Sequence, residues 1–329
     1  MMTYVDNESR RGKLLTKTIY NSAGQILDQE RTDYSYPVLQ TVRFEIRIGF
    51  GGLEDTCNTF YRPGYDFTIK SNLPVSQNLL TKKTNTSYFN TNTASTIIDY
   101  QYDSTLPFVT NEVFNSGLSN IKTERQYPYF LNQLDSQPIL SNLITQNKIN
   151  EVVVEKVYRD NVLLDTKQIN YKDFGNGLVL PKSISTSTGA QALEEQSVVD
   201  LRDNKGNILQ YHDKNGVNTS IIYGYNQAQA IAKIENATYS EVSSFVSNLQ
   251  SISNTGTESS MITALNNLRN TFPNAMVTTY TYLPLVGISS ITDPKGNLTT
   301  YTYDSFGRLE FVKDAQGNLI SQNQYHYKN

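Results

Sequence analysis

The sequence predicts a mainly β protein, a run of antiparallel hairpins forming a curved, shell-like open sheet with one helical hairpin set into it. Three observations carry that expectation. Tyr-x-Tyr triplets stand at Tyr34/Tyr36, Tyr100/Tyr102, Tyr127/Tyr129, Tyr223/Tyr225, Tyr280/Tyr282, Tyr301/Tyr303 and Tyr325/Tyr327. A spacing of two puts both rings on one face of a strand, because side chains alternate across the pleat. The last three triplets recur at about 21 residues, the scale of a repeat array. Between them lie Asp-x-x-Gly segments, which read as tight turns.

Composition agrees with sheets that have one packed and one wet face. The chain has 329 residues, 38% of them hydrophobic, with 23 tyrosines, no tryptophan and a mean hydropathy of −0.46. It is too aromatic for disorder, which needs few aromatic and few β-branched residues. Net charge is −3 and no long basic run occurs, so nucleic acid is not expected as a partner. The single cysteine, Cys57, cannot form an intrachain disulfide. No apolar run is long enough for a membrane-spanning helix. Residues Met1–Asp6 lack the apolar core of a signal peptide, so the chain is expected to be cytoplasmic or part of a longer exported one.

The elements follow in order. Asn21-Ser-Ala-Gly24-Gln25-Ile26 is a degenerate turn leading to Tyr34 and Tyr36. Thr41–Ile48 alternates strictly, with Val42, Phe44, Ile46 and Ile48 on one face and Thr41, Arg43, Glu45 and Arg47 on the other. Gly49, Gly51 and Gly52 end it. Looser strands are expected around Tyr88, Tyr100, Tyr102, Tyr158 and Tyr171. Asp203-Asn-Lys-Gly206-Asn207-Ile208 and Asp213-Lys-Asn-Gly216 are further turns, followed by Tyr223 and Tyr225.

Helical spacing replaces alternation after residue 238. Thr238-Tyr-Ser-Glu241 is a capping box, and Val242, Phe245, Val246 and Leu249 follow it at helical intervals. Thr257 caps a second helix carrying Met261, Ile262, Leu265 and Leu268, which ends before Pro273. This hairpin is expected to pack on a sheet edge or cover a hole, or else to bind a partner. Three stretches result: 1–237 of degenerate β-repeats, 238–272 of helical hairpin, and 273–329 of well-formed repeats.

The final stretch carries the clearest turns. They are Asp293-Pro-Lys-Gly296-Asn297-Leu298, Asp304-Ser-Phe-Gly307-Arg308-Leu309 and Asp314-Ala-Gln-Gly317-Asn318-Leu319. The aspartate bonds to its own backbone at the first position, and glycine supplies a positive φ at the fourth. The segment Gly296-Asn297-Leu298-Thr-Thr-Tyr301-Thr-Tyr303-Asp304-Ser-Phe-Gly307-Arg308-Leu309 resembles the YD repeat of RHS proteins, matching each position of that signature. Residues 234–314 also resemble the end region of RHS-like proteins from gliding Bacteroidota. On this resemblance the signature residues are Gly206, Asn207, Tyr223, Tyr225, Tyr280, Tyr282, Asp293, Gly296, Asn297, Tyr301, Tyr303, Asp304, Gly307, Arg308, Leu309, Asp314, Gly317, Asn318, Tyr325 and Tyr327, all structural.

The resemblance implies strands wound into a spiral shell. In RHS toxins such shells enclose an effector, and in cell-surface relatives they are interaction scaffolds. The implied partners are other parts of a longer RHS-like chain, an enclosed effector, or surface glycans and proteins, at the cell surface or outside the cell. The core rich in Asp-Pro pairs that self-cleaves in that family is matched only by Asp293-Pro294, which belongs to a repeat turn. The expectation is therefore a non-catalytic scaffold without a cofactor. A carbohydrate-binding module and a self-processing shell fragment are the alternatives.

Other chemistry has little support. His212 and His326 are the only histidines and sit in expected strands, with no zinc-ligand spacing. Cys57 lies in a polar stretch without a nearby base. The aspartate turns raise calcium, but each aspartate already serves its own turn. Tyrosine faces beside Asn, Gln and Asp suit sugar stacking and suit a wet sheet face equally.

Overall fold

The structure is a computed structural model and describes residues 12–36, 38–49, 66–76, 78–89, 92–134 and 137–325. It is mainly β and antiparallel, and it divides into two compact units: Met1–Gln126 with Glu155–Asp165, and Tyr127–Val154 with Thr166–Asn329.

In the first unit the strands are β1 (Thr16–Tyr20), β2 (Ile26–Ser35), β3 (Val38–Gly49), β4 (Asp66–Ser76), β5 (Leu79–Phe89), β6 (Asn92–Tyr102), β7 (Val109–Asn115) and β8 (Asn120–Gln126). β2 pairs with β1 on one side and β5 on the other, and β5 to β8 pair in succession, all antiparallel. Between β2 and β5, β3 and β4 form their own two-stranded ladder, from Val38↔Ser76 to Gly49↔Asp66. The alternating segment Thr41–Ile48 lies in β3. Its side chains, together with Gly51, Gly52 and Cys57, lie outside the described residues.

Cross-strand polar pairs line this unit where an aliphatic core is thin. Thr32 is its buried side chain among the described residues. Lys83 meets Glu30 at 3.1 Å, Ser87 Oγ donates to Asp28 at 2.7 Å, and Arg125 meets Glu112 at 3.1 Å and Glu155 at 3.1 Å. Such pairs add about 0.2–1 kcal/mol each.

The chain continues through α1 (Pro128–Leu134), α2 (Pro138–Thr145), β9 (Val154–Arg159) and β10 (Val162–Asp173). Asp160 and Asn161 join β9 to β10 with φ of 47° and 68°, the two-residue turn whose twist matches a hairpin. Then come β11 (Val179–Thr188), β12 (Glu194–Arg202), β13 (Ile208–Asp213), β14 (Asn218–Gly224), β15 (Gln229–Glu235), α3 (Tyr239–Thr255), α4 (Glu258–Thr271), β16 (Met276–Leu283), β17 (Gly287–Thr292), β18 (Leu298–Tyr303), β19 (Leu309–Lys313) and β20 (Leu319–Gln322). From β11 to β20 every strand pairs antiparallel with the next.

α3 and α4 are the helical hairpin read from the sequence. Thr238 and Glu241 close the capping box, and the Thr257 hydroxyl accepts from the Ser260 N–H at 3.2 Å. The pair packs on the face of β14 to β16 instead of an edge. Val242 and Leu249 of α3 and Met261, Leu265 and Leu268 of α4 are buried with Ile222, Ile231, Ile234 and Val277. The reason is visible in the strands: β-branched side chains occur on the face that receives the helices, giving them apolar ground. Arg269 then ties α4 to β16 and to the turn after β17. Its guanidinium donates to the carbonyls of Val277, Asp293 (2.7 Å) and Thr292 (3.3 Å).

Two elements depart from the sequence expectation. α1 and α2 stand where strands were expected, so Tyr127 and Tyr129 flank a helix start and do not share a strand face. The pair buries Leu140 and Leu143 against Val153, Val154 and Val179. Tyr225 lies past the end of β14 in a turn with φ 51°, so it and Tyr223 are not strand neighbours on one face.

Candidate functional site

One local device is repeated along the chain, an aspartate turn closed by its own side chain. At Asp293, Oδ1 accepts the backbone N–H of Lys295 (2.9 Å) and Asn297 (2.8 Å), and Oδ2 accepts the Asn297 side-chain amide (2.9 Å). The Gly296 N–H donates to the Asp293 carbonyl at 3.0 Å, with Gly296 at φ 89°. The same bonds recur at Asp203 with Asn207, and at Asp314 with Asn318. At Asp304 the i+4 partner is Arg308, whose Nε donates at 2.7 Å. The degenerate Asn21 turn has this geometry too: Asn21 Oδ1 accepts from Ala23 and Gln25, both at 2.9 Å.

These bonds favour the ionised carboxylate. The side-chain bond from Asn297 leads in holding Asp293 below the usual carboxylate range, as does that from Arg308 for Asp304 and that from Asn318 for Asp314. At Asp213 the backbone bond from Val217 leads. Asp293→Ala is therefore expected to destabilise more than Asp293→Asn. An asparagine keeps the Oδ1 bonds, as Asn21 does, and loses the charge. Thermal melts at neutral pH check the order.

The second part of the device is a tyrosine clasp. The phenol donates to a backbone carbonyl on the preceding strand, Tyr102 to Leu80 (2.9 Å), Tyr282 to Ala230 (2.9 Å), Tyr303 to Ile288 (2.8 Å) and Tyr325 to Leu309 (3.0 Å), or just before it, as with Tyr34 to Leu14 (3.4 Å). One register governs all of them. The ladders open at Lys82↔Asp99, Ala232↔Thr279, Ser290↔Thr300, Phe311↔Gln322 and Thr16↔Arg31. In each, the carbonyl lies two residues before the first of these and the tyrosine three after the second. In the next ladder a β-bulge lies opposite Tyr34, Tyr102, Tyr282 and Tyr303, its extra residue being Thr81, Thr110, Ser289 and Glu310 of the neighbouring strand, where the bulged strand bends. The clasp thus satisfies a carbonyl beyond the end of its ladder, where a net hydrogen bond contributes about 0.5–1.5 kcal/mol. Burial pushes the Tyr102, Tyr282 and Tyr303 phenols up, so they stay protonated donors.

Gly206, Gly307 and Gly317 have φ of 90°, 74° and 82°. Tyr280 and Tyr301 lie in β16 and β18, Tyr223 in β14, and Leu309 opens β19 and receives Tyr325. Tyr327, and His326 beside it, lie outside the described residues. His212 sits in β13 with Nδ1 3.0 Å from Asp200. Among the described residues, no three His, Cys, Asp or Glu side chains gather as a metal site, and no helix is long and apolar enough to cross a membrane.

Sequence reading missed a buried hydroxyl cluster and two unusual turns. Thr281 Oγ1 lies 2.9 Å from Glu258 Oε1, 2.8 Å from Ser289 Oγ and 2.6 Å from Ser290 Oγ. Its alternation with tyrosines, Thr279-Tyr-Thr281-Tyr, was the available signal. The two turns, Tyr225–Gln227 and Pro284–Val286, lack the Asp-x-x-Gly pattern.

A family model, RHS Repeat, matches residues 287–319. Comparison with curated proteins finds no match. Among solved structures, the chain is similar to the crystal structure of TcdB2-TccC3-TEV, at 8% identity and a TM-score of 0.49, covering 96% of this chain and 17% of that one. The crystal structure of TcdB2-TccC3-Cdc42 aligns at 12% identity and a TM-score of 0.35, over 94% of this chain and 14% of that one. A porin-like protein from Bacteroides uniformis aligns at 10% identity and a TM-score of 0.25, over 90% and 86%. The chain thus spans about a sixth of the TcdB2-TccC3 chains it matches. The matched segment holds β17, β18, β19 and three complete aspartate turns, at Asp293, Asp304 and Asp314, and the same turn chemistry recurs at Asp203 and Asn21; the chain carries the RHS/YD repeat.

Proposed function

We propose that this chain is a non-catalytic RHS/YD-repeat scaffold, one stretch of a larger exported cell-surface or toxin-delivery protein that acts in interaction or encapsulation. The observation that supports this reading is the use made of its polar groups. The turn carboxylates are ionised acceptors for their own backbone, and the clasp phenols donate to main-chain carbonyls. Groups so engaged hold a sheet together. A self-processing mechanism would need an aspartic acid able to give up a proton near neutrality, whereas Asp293 and Asp304 are held on the acidic side of the usual range. On this reading 238–272 is a cover set into the repeats, and 1–237 and 273–329 serve as parts of one β architecture.

The test is cellular. An antibody raised against this chain is used on fractionated source cells, with and without protease added to intact cells. The reading expects signal in the surface or medium fraction and its loss on protease treatment. Signal confined to the cytoplasm of intact cells overturns it.

A further inference from the structure

The repeat rule is broken at two neighbouring turns of the second unit, and the two line one cleft. Between β14 and β15 the chain passes through Tyr225, Asn226 and Gln227 with φ of 51°, 58° and 61°. Successive non-glycine residues in this left-handed region each cost about 1–2 kcal/mol, and such strain persists where surrounding contacts over-determine it. Here the contacts are explicit. Ser253 Oγ accepts the Tyr225 N–H at 2.8 Å, Asn254 Oδ1 accepts the Asn226 N–H at 2.8 Å, and Asn207 Nδ2 donates to the Gln227 carbonyl at 3.0 Å. Between β16 and β17 the turn is Leu283-Pro-Leu-Val286, with Leu285 at φ 62° and fully exposed.

The cleft between them has a volume of about 510 Å³, within the range of small-ligand sites. One wall is amide and hydroxyl: Asn226, Gln229, Ser253 and Asn254. The other is the apolar turn 283–286. Its floor includes Tyr225 and Tyr282, packed edge to face with ring centroids 5.4 Å apart. Among the described residues no charged side chain lines it. Among them too, the exposed Asn226 and Gln229 side chains make no hydrogen bond within the chain, so their amides keep both donor and acceptor capacity.

We propose that this cleft binds a neutral saccharide. A sugar ring presents apolar C–H faces and a rim of hydroxyls that each donate and accept. The apolar turn suits the first and the amide wall suits the second. The lining is uncharged, and the Lys205 ammonium beside it is engaged by the Asn226 carbonyl at 2.5 Å, so a sulfated or carboxylated glycan finds no charged partner in the walls. A peptide joining the sheet would need a free main-chain edge, and β14 to β17 are each paired on both sides. The site is additional to the scaffold role, and its failure in vitro is separate from the location of the parent protein in the cell.

The whole chain is applied to an array of neutral and anionic glycans, and a responding neutral sugar is titrated by saturation-transfer NMR. Gln229→Ala and Leu285→Ala, both at exposed positions, are expected to fold as the parent does and to weaken binding at least tenfold. Leu118→Ala, on an exposed turn of the first unit, leaves it unchanged. Hits confined to anionic glycans, no hits, or binding undiminished in both cleft variants each overturn the proposal.

Discussion

Leu268→Ala is expected to destabilise the protein by about 2–5 kcal/mol, the usual cost of emptying a closed apolar site. Leu268 is 0% exposed and lies in the cluster where α3 and α4 meet β14, β15 and β16. Its neighbours there, Val242, Leu249, Ile231, Ile234 and Val277, are held by helix and ladder bonds from both sides. They cannot readily collapse into the space, so both the transfer and the cavity parts of the loss are felt. The comparison is Leu285→Ala, at a fully exposed position, where a change within about 0.5 kcal/mol is expected. Urea denaturation of the two variants against the parent reads the difference. Equal midpoints would mean that the helical pair contributes little to the fold.

A second large effect is expected at Gly287. A Cβ there would stand 2.6 Å from the Tyr303 hydroxyl and 3.1 Å from its Cζ. The φ of Gly287 is not in the left-handed region, so the constraint is the clasp and not the backbone. Gly287→Val must expel the Tyr303 ring, breaking its 2.8 Å bond to Ile288 and overpacking the end of β17. Together these cost about 2–4 kcal/mol. The penalty is expected to shrink when Tyr303→Ala is already present, since the colliding ring is gone. A double-mutant cycle by thermal or urea denaturation measures that coupling. Additive losses would show that Tyr303 does not pin this strand end.

The parts of this fold legible in sequence are those encoded within a few residues. Asp293-x-x-Gly296-Asn297 specifies its turn because every bond closes inside five positions, and Thr238 with Glu241 specifies a helix start for the same reason. α1 and α2 were hidden because seven and eight residues are too few for a helical period to declare itself. Tyr127 and Tyr129 then read as another strand pair. The clasps depend on ladder register, which a triplet does not carry. Tyr34 and Tyr325 come first in their triplets, whereas Tyr102, Tyr282 and Tyr303 come second.

The helical pair shows a related limit. Its caps and apolar positions were readable, but its seat was not. Ile231 and Ala232 are adjacent and both buried in the cluster under the helices, because a β-bulge falls at Ile231, so β15 gives no alternation that would mark the side awaiting a helix. The saccharide cleft was hidden by sequence distance, since α3 and α4 lie between its two turns. Each turn could be seen to lack the aspartate pattern, yet only the β15–β16 pairing brings them side by side.

The account rests most directly on the state of the turn carboxylates, and carbon-detected NMR titration of the aspartate side chains measures it. A carboxylate whose folded pKa is depressed stabilises the fold above its unfolded value. That contribution is lost as pH falls through the folded one. Asp213, Asp293, Asp304 and Asp314 are therefore expected to titrate below the ordinary aspartate value of about 3.9, with stability falling as they do. Ordinary or raised values at these four positions would contradict the account, because their carboxylates would then be free of the turns and open to other chemistry.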